Sequence, residues 1–390
     1  MRVLCGLDRL AAGEYPNIRG KRIALLTHAA ALTRELASAA DVLIDGVDAE
    51  LVQIHSPEHG LFGTLQDQVA AQDTMYRGIE VDSLYGGDEQ SLQIDPQRLA
   101  EIDLLVIDLV DIGARYYTYA ATMAHALRAA GQAGIPALVL DRPNPLGGEQ
   151  VEGNLLEPEY QSFVGLFPIP VRHGMTLGEL AIFMTRHLGL YCEVTVLQCQ
   201  GWKRSMLFNQ TDLRWIAPSP NMPSFETALV YPGACLVEGT NLSEGRGTTM
   251  PFLQIGAPFI SAGALAERLN LVGLPGVRFR PISFNPVFGK HAANDCDGVF
   301  CHVIEQHSFR PYRTGLALLW AANKVAGSQF NWRTEPYEFV SDRLAIDMLC
   351  GTDRVRRMID AHAALDELLA VAEEVDADFM AARAEILLYR

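Results

Sequence analysis

The chain has 390 residues, a net charge of −16, 49% hydrophobic residues and 20% charged ones, enough for two domains with cores of their own. The negative charge argues against nucleic acid or an anionic membrane as a partner, and no apolar run approaches the roughly 18 residues of a membrane-spanning helix. Seven cysteines without a C-x-x-C pair signal neither a zinc site nor a disulfide framework.

The first residues, up to Asp8 and Arg9, hold no sustained apolar core. No signal peptide is expected, and the protein reads as cytoplasmic, or as periplasmic if a leader has been removed. Residues 22–27 form an apolar run that predicts a strand, followed by His28 and an alanine-rich stretch predicted to be helical to about residue 43. No G-x-G-x-x-G links them, so a dinucleotide fingerprint is absent and no cofactor is implied. Residues 49–54 are the next strand, and it runs into His55-Ser56-Pro57-Glu58-His59-Gly60. A carboxyl group at the exit of a rigid strand can act as acid, base or nucleophile. Glu58 is therefore the leading catalytic candidate, with His59 beside it.

The same residues spell H-x-x-E-H, a zinc-binding pattern that works only on a helix. Pro57 disfavours a helical Ser56 and sits inside the turn that the pattern needs. No metal is expected. Residues 61–100 read as a polar excursion with short helices. Residues 104–109 are a continuous apolar run, as in a buried parallel strand, leading to Asp111, Arg115, Tyr116, Tyr117 and Tyr119 and then a helix to about residue 130. Residues 135–140 give another strand, which ends at Asp141, Arg142 and Asn144.

Regular strand–helix alternation predicts a Rossmann-like α/β domain with a parallel sheet. His28, Glu58, His59, Asp108, Asp111, Arg115, Asp141, Arg142 and Asn144 all follow apolar runs. Several loaded strand exits in succession point to one crevice at the carboxyl ends of the strands. For Asp108, Asp141 and Asn144, helix capping and turn closure explain the residue type equally well.

Further along, Thr176 and Glu179 make a capping box, so Glu179 has a structural reason to be there. Three prolines in residues 218–223 predict a rigid bridge between lobes. The glycine- and hydroxyl-rich segment 238–249 lacks the Walker A order and fits a sugar- or carboxylate-binding loop, with Arg246 as an anion clamp. Strands at 277–279 and 299–304 and helices at 312–325, 355–375 and 380–388 predict a smaller α+β domain. The division is 1–225 and 226–390.

Blocks spread over nearly the whole chain resemble the exo-β-N-acetylmuramidases. They are SPEHG at 56–60, D-x-x-D-x-G-A-R-Y-Y-T-Y from Asp108, DRPNPLGG at 141–148, HGMTLGELA at 173–181, PSPNMP at 218–223 and YPGACLVEGTNLSEGRGTTMPF at 231–252. The resemblance implies a Rossmann-like N-terminal domain, a smaller C-terminal domain and an active site in the cleft between them, with release of N-acetylmuramic acid from the non-reducing end of peptidoglycan fragments. Glycosidases need a protonated carboxyl group at the leaving oxygen and usually a second carboxylate. Glu58 is the expected general acid, and Asp111 and Glu244 are the candidates for the second group. The substrate's own acetamido group is an alternative nucleophile. Arg115, Arg142 and Arg246 are candidate partners for the lactyl carboxylate, and Tyr116, Tyr117 and Tyr119 offer rings and hydroxyls to the sugar. His28, Asn144, His173, Asn221 and Asn241 complete the expected substrate-binding set. Two other readings stay open: a non-catalytic muropeptide- or sugar-binding protein, and a hydrolase of another anionic amino-sugar derivative. Oligomeric state is not legible.

Overall fold

The computed structural model describes residues 2–390. Its larger sheet has seven strands: β1 (Arg22–Thr27), β2 (Glu50–Ser56), β3 (Thr74–Tyr76), β4 (Ile79–Ser83), β5 (Leu104–Asp108), β6 (Ala137–Leu140) and β7 (Val194–Leu197). Their spatial order is β3-β4-β2-β1-β5-β6-β7. Every neighbouring pair is parallel except β3 with β4. β5 and β6 are buried along their whole length, which is why their sequences run apolar without alternation. From β1 the chain goes out to β2 on one side and returns at β5 on the other. Such a reversal opens a crevice beyond the carboxyl ends of the central strands.

The second domain has an antiparallel sheet of β8 (Gln254–Ala257), β9 (Val277–Phe284) and β10 (Cys296–Val303), in the order β8-β10-β9. The helix Ala262–Val272 packs on β9 and β10, and the helix Pro311–Ala326 packs against both it and the helix Phe225–Ala234. At the last crossing two glycines let the backbones approach. A Cβ on Gly233 would overlap the carbonyl of Pro311, and one on Gly315 would overlap the backbone of Gly233. One apolar cluster runs from β5 and the helix Tyr119–Ala133 through Leu229 and Val230 to Leu316 and Leu319, so the two domains share a core.

The sequence-based expectations fail in three places. The helix after β1 begins only at Ala39, capped by Ser38, whose hydroxyl accepts from Asp41 N at 3.0 Å. Ahead of it, Leu32 and Ser38 bridge across a turn in which Leu36 is left-handed. The polar excursion at 61–100 contains β3 and β4, which extend the sheet edge. They are short and mostly solvent-facing, so they lack an apolar signature. Residues 355–375 are two helices, Arg354–Asp360 and Leu365–Ala370, separated by left-handed His362. The helix Phe225–Ala234, on which the sequence reading made no statement, carries Pro232 inside it, a residue that ordinarily breaks a helix.

Candidate active site

The exit of β2 sets the geometry. Ile54, His55 and Ser56 are buried, and Pro57 ends the strand. His59 and Gly60 are both left-handed, each with φ 74°, and Gly60 N donates to the Pro57 carbonyl at 3.1 Å. This tight reversal buries Glu58, which is only 4% exposed. The Thr118 hydroxyl donates to Glu58 Oε2 at 2.8 Å, and the Gln68 amide donates to Oε1 at 3.3 Å. Thr118 is also the residue that opens the 15-residue helix Tyr119–Ala133, whose amino end favours negative charge. His59 Nδ1 lies 2.8 Å from the Leu65 carbonyl, a contact that puts the proton on Nδ1 and leaves Nε2 as an acceptor.

His55 and His59 do not share a helix face, since one ends a strand and the other lies in the turn. His55 sits beside Asp82, with Nδ1 3.4 Å from Oδ2. Burial, and then the charge of Arg98, push it down to about 3.

Glu58 lies in a cleft of about 440 Å³, open solvent included. Of the residues singled out in the sequence, Glu58, His59, Tyr116, Tyr117, Asn221 and Arg246 line it together. Asn221 donates to Gln66 Oε1 at 2.6 Å. The Tyr117 hydroxyl is buried without a protein partner, while that of Tyr116 donates to the Pro232 carbonyl. Arg246 stacks over Phe252 with its centre 5.0 Å from the ring. It reaches Glu238 at 2.7 Å, Asp67 at 3.2 Å and Glu244 at 3.6 Å. Burial works against its charge, and these carboxylates more than offset that, so it is held firmly protonated.

The other expected residues are engaged elsewhere. Arg115 donates to the carbonyls of Asn154 and Ile169 at 2.9 Å each and of Leu349 at 3.0 Å, deep in the core. Arg142 forms a two-pronged pair with Asp108, at 2.6 and 2.9 Å. Tyr119 gives its hydroxyl to the Pro218 carbonyl at 2.8 Å. Asn144 bonds Met175 O and Leu146 N, and Asn241 bonds Gln329 O and Asn331 N. These are loop-fixing roles. Glu244 meets Lys290 at 3.0 Å behind Arg246. His28 Nε2 accepts from Val110 N at 2.9 Å, and burial, then the charges of Arg142 and His59, take it down to about 3. His173 is likewise pushed to about 3 by burial and by Arg383 and Arg204.

Asp111 and Arg142 line a second, larger cavity of about 870 Å³ with Arg34, Phe208, Asp212 and Trp215. Its charges are mostly spent on each other, as in Arg34 with Asp212 at 3.0 Å. Burial lifts Asp111 to about 7, against hydrogen bonds from the Gly113 and Ile112 backbone, and its Oδ1 has no partner. Size favours this cavity; convergent chemistry favours the smaller cleft.

Four cleft groups escaped the sequence reading: Asp67, Thr118, Glu238 and Glu338. Glu238 is tied to Arg246 and accepts from the Tyr337 hydroxyl at 2.6 Å. Glu338 is 6% exposed and accepts from the Tyr85 hydroxyl at 2.8 Å. It stands in a two-residue turn closed by hydrogen bonds in both directions between Tyr337 and Val340, at 2.9 and 3.0 Å. Both central residues, Glu338 (φ 48°) and Phe339 (φ 67°), are left-handed. Burial first, and then the charge of Glu58, push Glu338 well above the usual carboxylate range, against a smaller opposing pull from Tyr85. No signal in the sequence around Glu338 marks it: Tyr85, which anchors it, lies 253 residues away.

Comparison with known proteins agrees across the full length. The family model described as exo-beta-N-acetylmuramidase NamZ matches in both parts, its N-terminal part over residues 23–226 and its C-terminal part over 229–389. The peptidoglycan beta-N-acetylmuramidase NamZ of Bacillus subtilis (strain 168) is 41% identical over 390 residues, covering 100% of this chain and 92% of that protein. A crystal structure of a DUF1343 family protein from Bacteroides fragilis NCTC 9343 superposes with a TM-score of 0.89 at 30% identity, covering 100% of this chain and 99% of the other. A second from the same organism gives 0.77 at 28% identity, with the same coverage.

Proposed function

The chain belongs to the exo-β-N-acetylmuramidase NamZ family, and on that premise we propose that it is a glycoside hydrolase releasing N-acetylmuramic acid from the non-reducing end of peptidoglycan fragments, with Glu58 as a catalytic carboxyl group. The observation that carries this is the placement of Glu58: it is buried at a strand exit, fixed at both oxygens and set in a cleft. A carboxyl group so oriented exchanges protons at a fixed point, as glycoside hydrolysis requires. The Tyr117 hydroxyl and Asn221 stand along the same cleft to meet sugar oxygens. Arg246 is the guanidinium of its wall and the partner this reading gives the lactyl carboxylate.

Neither nucleic acid nor membrane belongs among the partners in this reading, given a net charge of −16 and no helix among the described residues long and apolar enough to cross a membrane. All seven cysteines are free, which suits a reducing compartment and supports action on fragments in the cytoplasm.

The test is incubation with a muramic-acid-terminated disaccharide, read by mass spectrometry, beside a Glu58→Gln control. Release of N-acetylmuramic acid by the wild type alone is expected. Equal release by both proteins removes Glu58 from the chemistry. Binding without release by the wild type leaves a saccharide-binding protein instead.

A further inference from the structure

We propose that Glu338 is the acid catalyst of this reaction, with Glu58 working opposite it as the ionised base. The proposal rests on the glycosidase reading given above and names the second carboxyl group that such a site needs.

Elimination comes first. The carboxyl groups lining the cleft are those of Glu58, Asp67, Glu238 and Glu338. Asp67 and Glu238 each have both oxygens engaged: Asp67 by Arg246 and the Gln68 side-chain amide, Glu238 by Arg246 and the Tyr337 hydroxyl. Neither has an oxygen free to deliver a proton. Glu58 receives hydrogen bonds on both oxygens, one from a backbone amide, the arrangement of a carboxylate that accepts. Glu338 has no cation partner among the described residues. Its one hydrogen bond, from Tyr85, ends on Oε2, which leaves Oε1 to carry and donate a proton.

Backbone conformation supplies a separate argument. A two-residue turn with both central residues left-handed favours Asn and Gly, and other residues there are strained. Here the positions hold Glu338 and Phe339. Phe339 packs against Tyr85 with ring centres 5.4 Å apart, and Tyr85 in turn holds Glu338. The strain and the aromatic contact together fix one carboxyl group against the cleft. The groups that face it are Tyr85, Glu58, Glu238 and Asp67. The carboxylates among them, Glu58 foremost, add to burial in keeping the Glu338 proton in place.

The chemistry then balances. As the C1–O bond breaks, its electron pair goes to the glycosidic oxygen, which takes the proton of Glu338 and leaves as a sugar hydroxyl. Water adds to C1 and gives a proton to the Glu58 carboxylate. That proton passes through solvent to Glu338, restoring both groups with one water consumed.

Two substrates separate this role from a merely structural one. The muramic-acid-terminated disaccharide has a poor leaving group that needs protonation. A p-nitrophenyl muramide does not, because its phenolate leaves unaided. Glu338→Gln is expected to lose roughly 10²–10⁴-fold in kcat/KM on the disaccharide and tenfold or less on the aryl glycoside, whereas Glu58→Gln loses heavily on both. Equal losses of Glu338→Gln on the two substrates, or none on the disaccharide, overturn the proposal. The wild type gives a reading that needs no variant: an alkaline fall in kcat/KM for the disaccharide that the aryl glycoside lacks. Its absence likewise overturns the assignment of Glu338 while leaving the glycosidase reading intact, and failure of the wild type to cleave either substrate removes both.

Discussion

Thr118 Oγ1 and Glu58 Oε2 stand 2.8 Å apart, joining the first residue of a helix to the carboxyl group at the end of a strand 60 residues earlier. The hydroxyl stabilises the charged form of Glu58. In Thr118→Val that carboxyl group loses a hydrogen bond of the charge-assisted kind, about 1.5–3 kcal/mol, and with it the partner that fixes Oε2. kcat/KM on the disaccharide should fall on the order of ten- to a hundredfold, while Thr118→Ser, which keeps the hydroxyl, stays close to the wild type. Equal losses in the two variants would show that the hydroxyl does not position Glu58.

Glu338 is costly to the fold for the reason it is useful. Its carboxyl group titrates well above the usual range in the folded protein because of burial and the charge of Glu58. Below the unfolded value of about 4.3 both states hold the proton. As pH rises from there the unfolded chain ionises first, and folded stability falls. Glu338→Gln has no such proton to lose. Its melting temperature should equal or exceed that of the wild type, with the gap widening from pH 4 to pH 8 in thermal unfolding; a constant gap would contradict the shift.

Arg246 compensates the buried Glu238, whose carboxyl group is raised by burial even with that cation beside it. Arg246→Met leaves the acid without a cation, held only by the Tyr337 hydroxyl. Breaking a buried pair from one side costs about 3–5 kcal/mol. Because a neutral Glu238 escapes most of that penalty, the deficit should be largest near pH 8 and shrink toward pH 5. Denaturant unfolding at the two values measures it, and an equal loss at both would place the effect in packing against Phe252.

A glycine in the middle of a helix is ordinarily improved by alanine, by about 1 kcal/mol. Gly315→Ala should do the reverse. The added methyl meets the backbone of Gly233 at the crossing of the helices Phe225–Ala234 and Pro311–Ala326, and overpacking costs about 1–3 kcal/mol. Tyr116, on the cleft wall, bonds the carbonyl of Pro232 next to that crossing. Activity should therefore fall with stability, which calorimetry and the disaccharide assay together will show.

What was legible in the sequence follows from which physical signals are local. β1, β2, β5 and β6 announce themselves because parallel strands buried on both faces leave apolar runs. The capping box is equally local: Thr176 Oγ1 accepts from Glu179 N at 3.1 Å, and Glu179 Oε2 accepts from Thr176 N at 3.0 Å. The strand exits gave Glu58 and His59, but the same rule also gathered Asp111, Asn144 and Arg142, which stand at exits and serve other contacts. Position along a strand tells where a side chain emerges, not whether a neighbour has already taken it. Glu338 shows the opposite limit. Nothing near it in sequence is unusual, and its character comes from Tyr85 and Glu58, brought there by the docking of two domains.

Arg115 gives that docking a mechanical meaning. Its three hydrogen bonds end on main-chain carbonyls, those of Asn154 and Ile169 on one side and of Leu349 on the other. Main-chain anchors do not swing with rotamers, so a carbonyl of the second domain is pinned to a guanidinium that two carbonyls of the first hold still. The side chain works as a rivet driven through the seam.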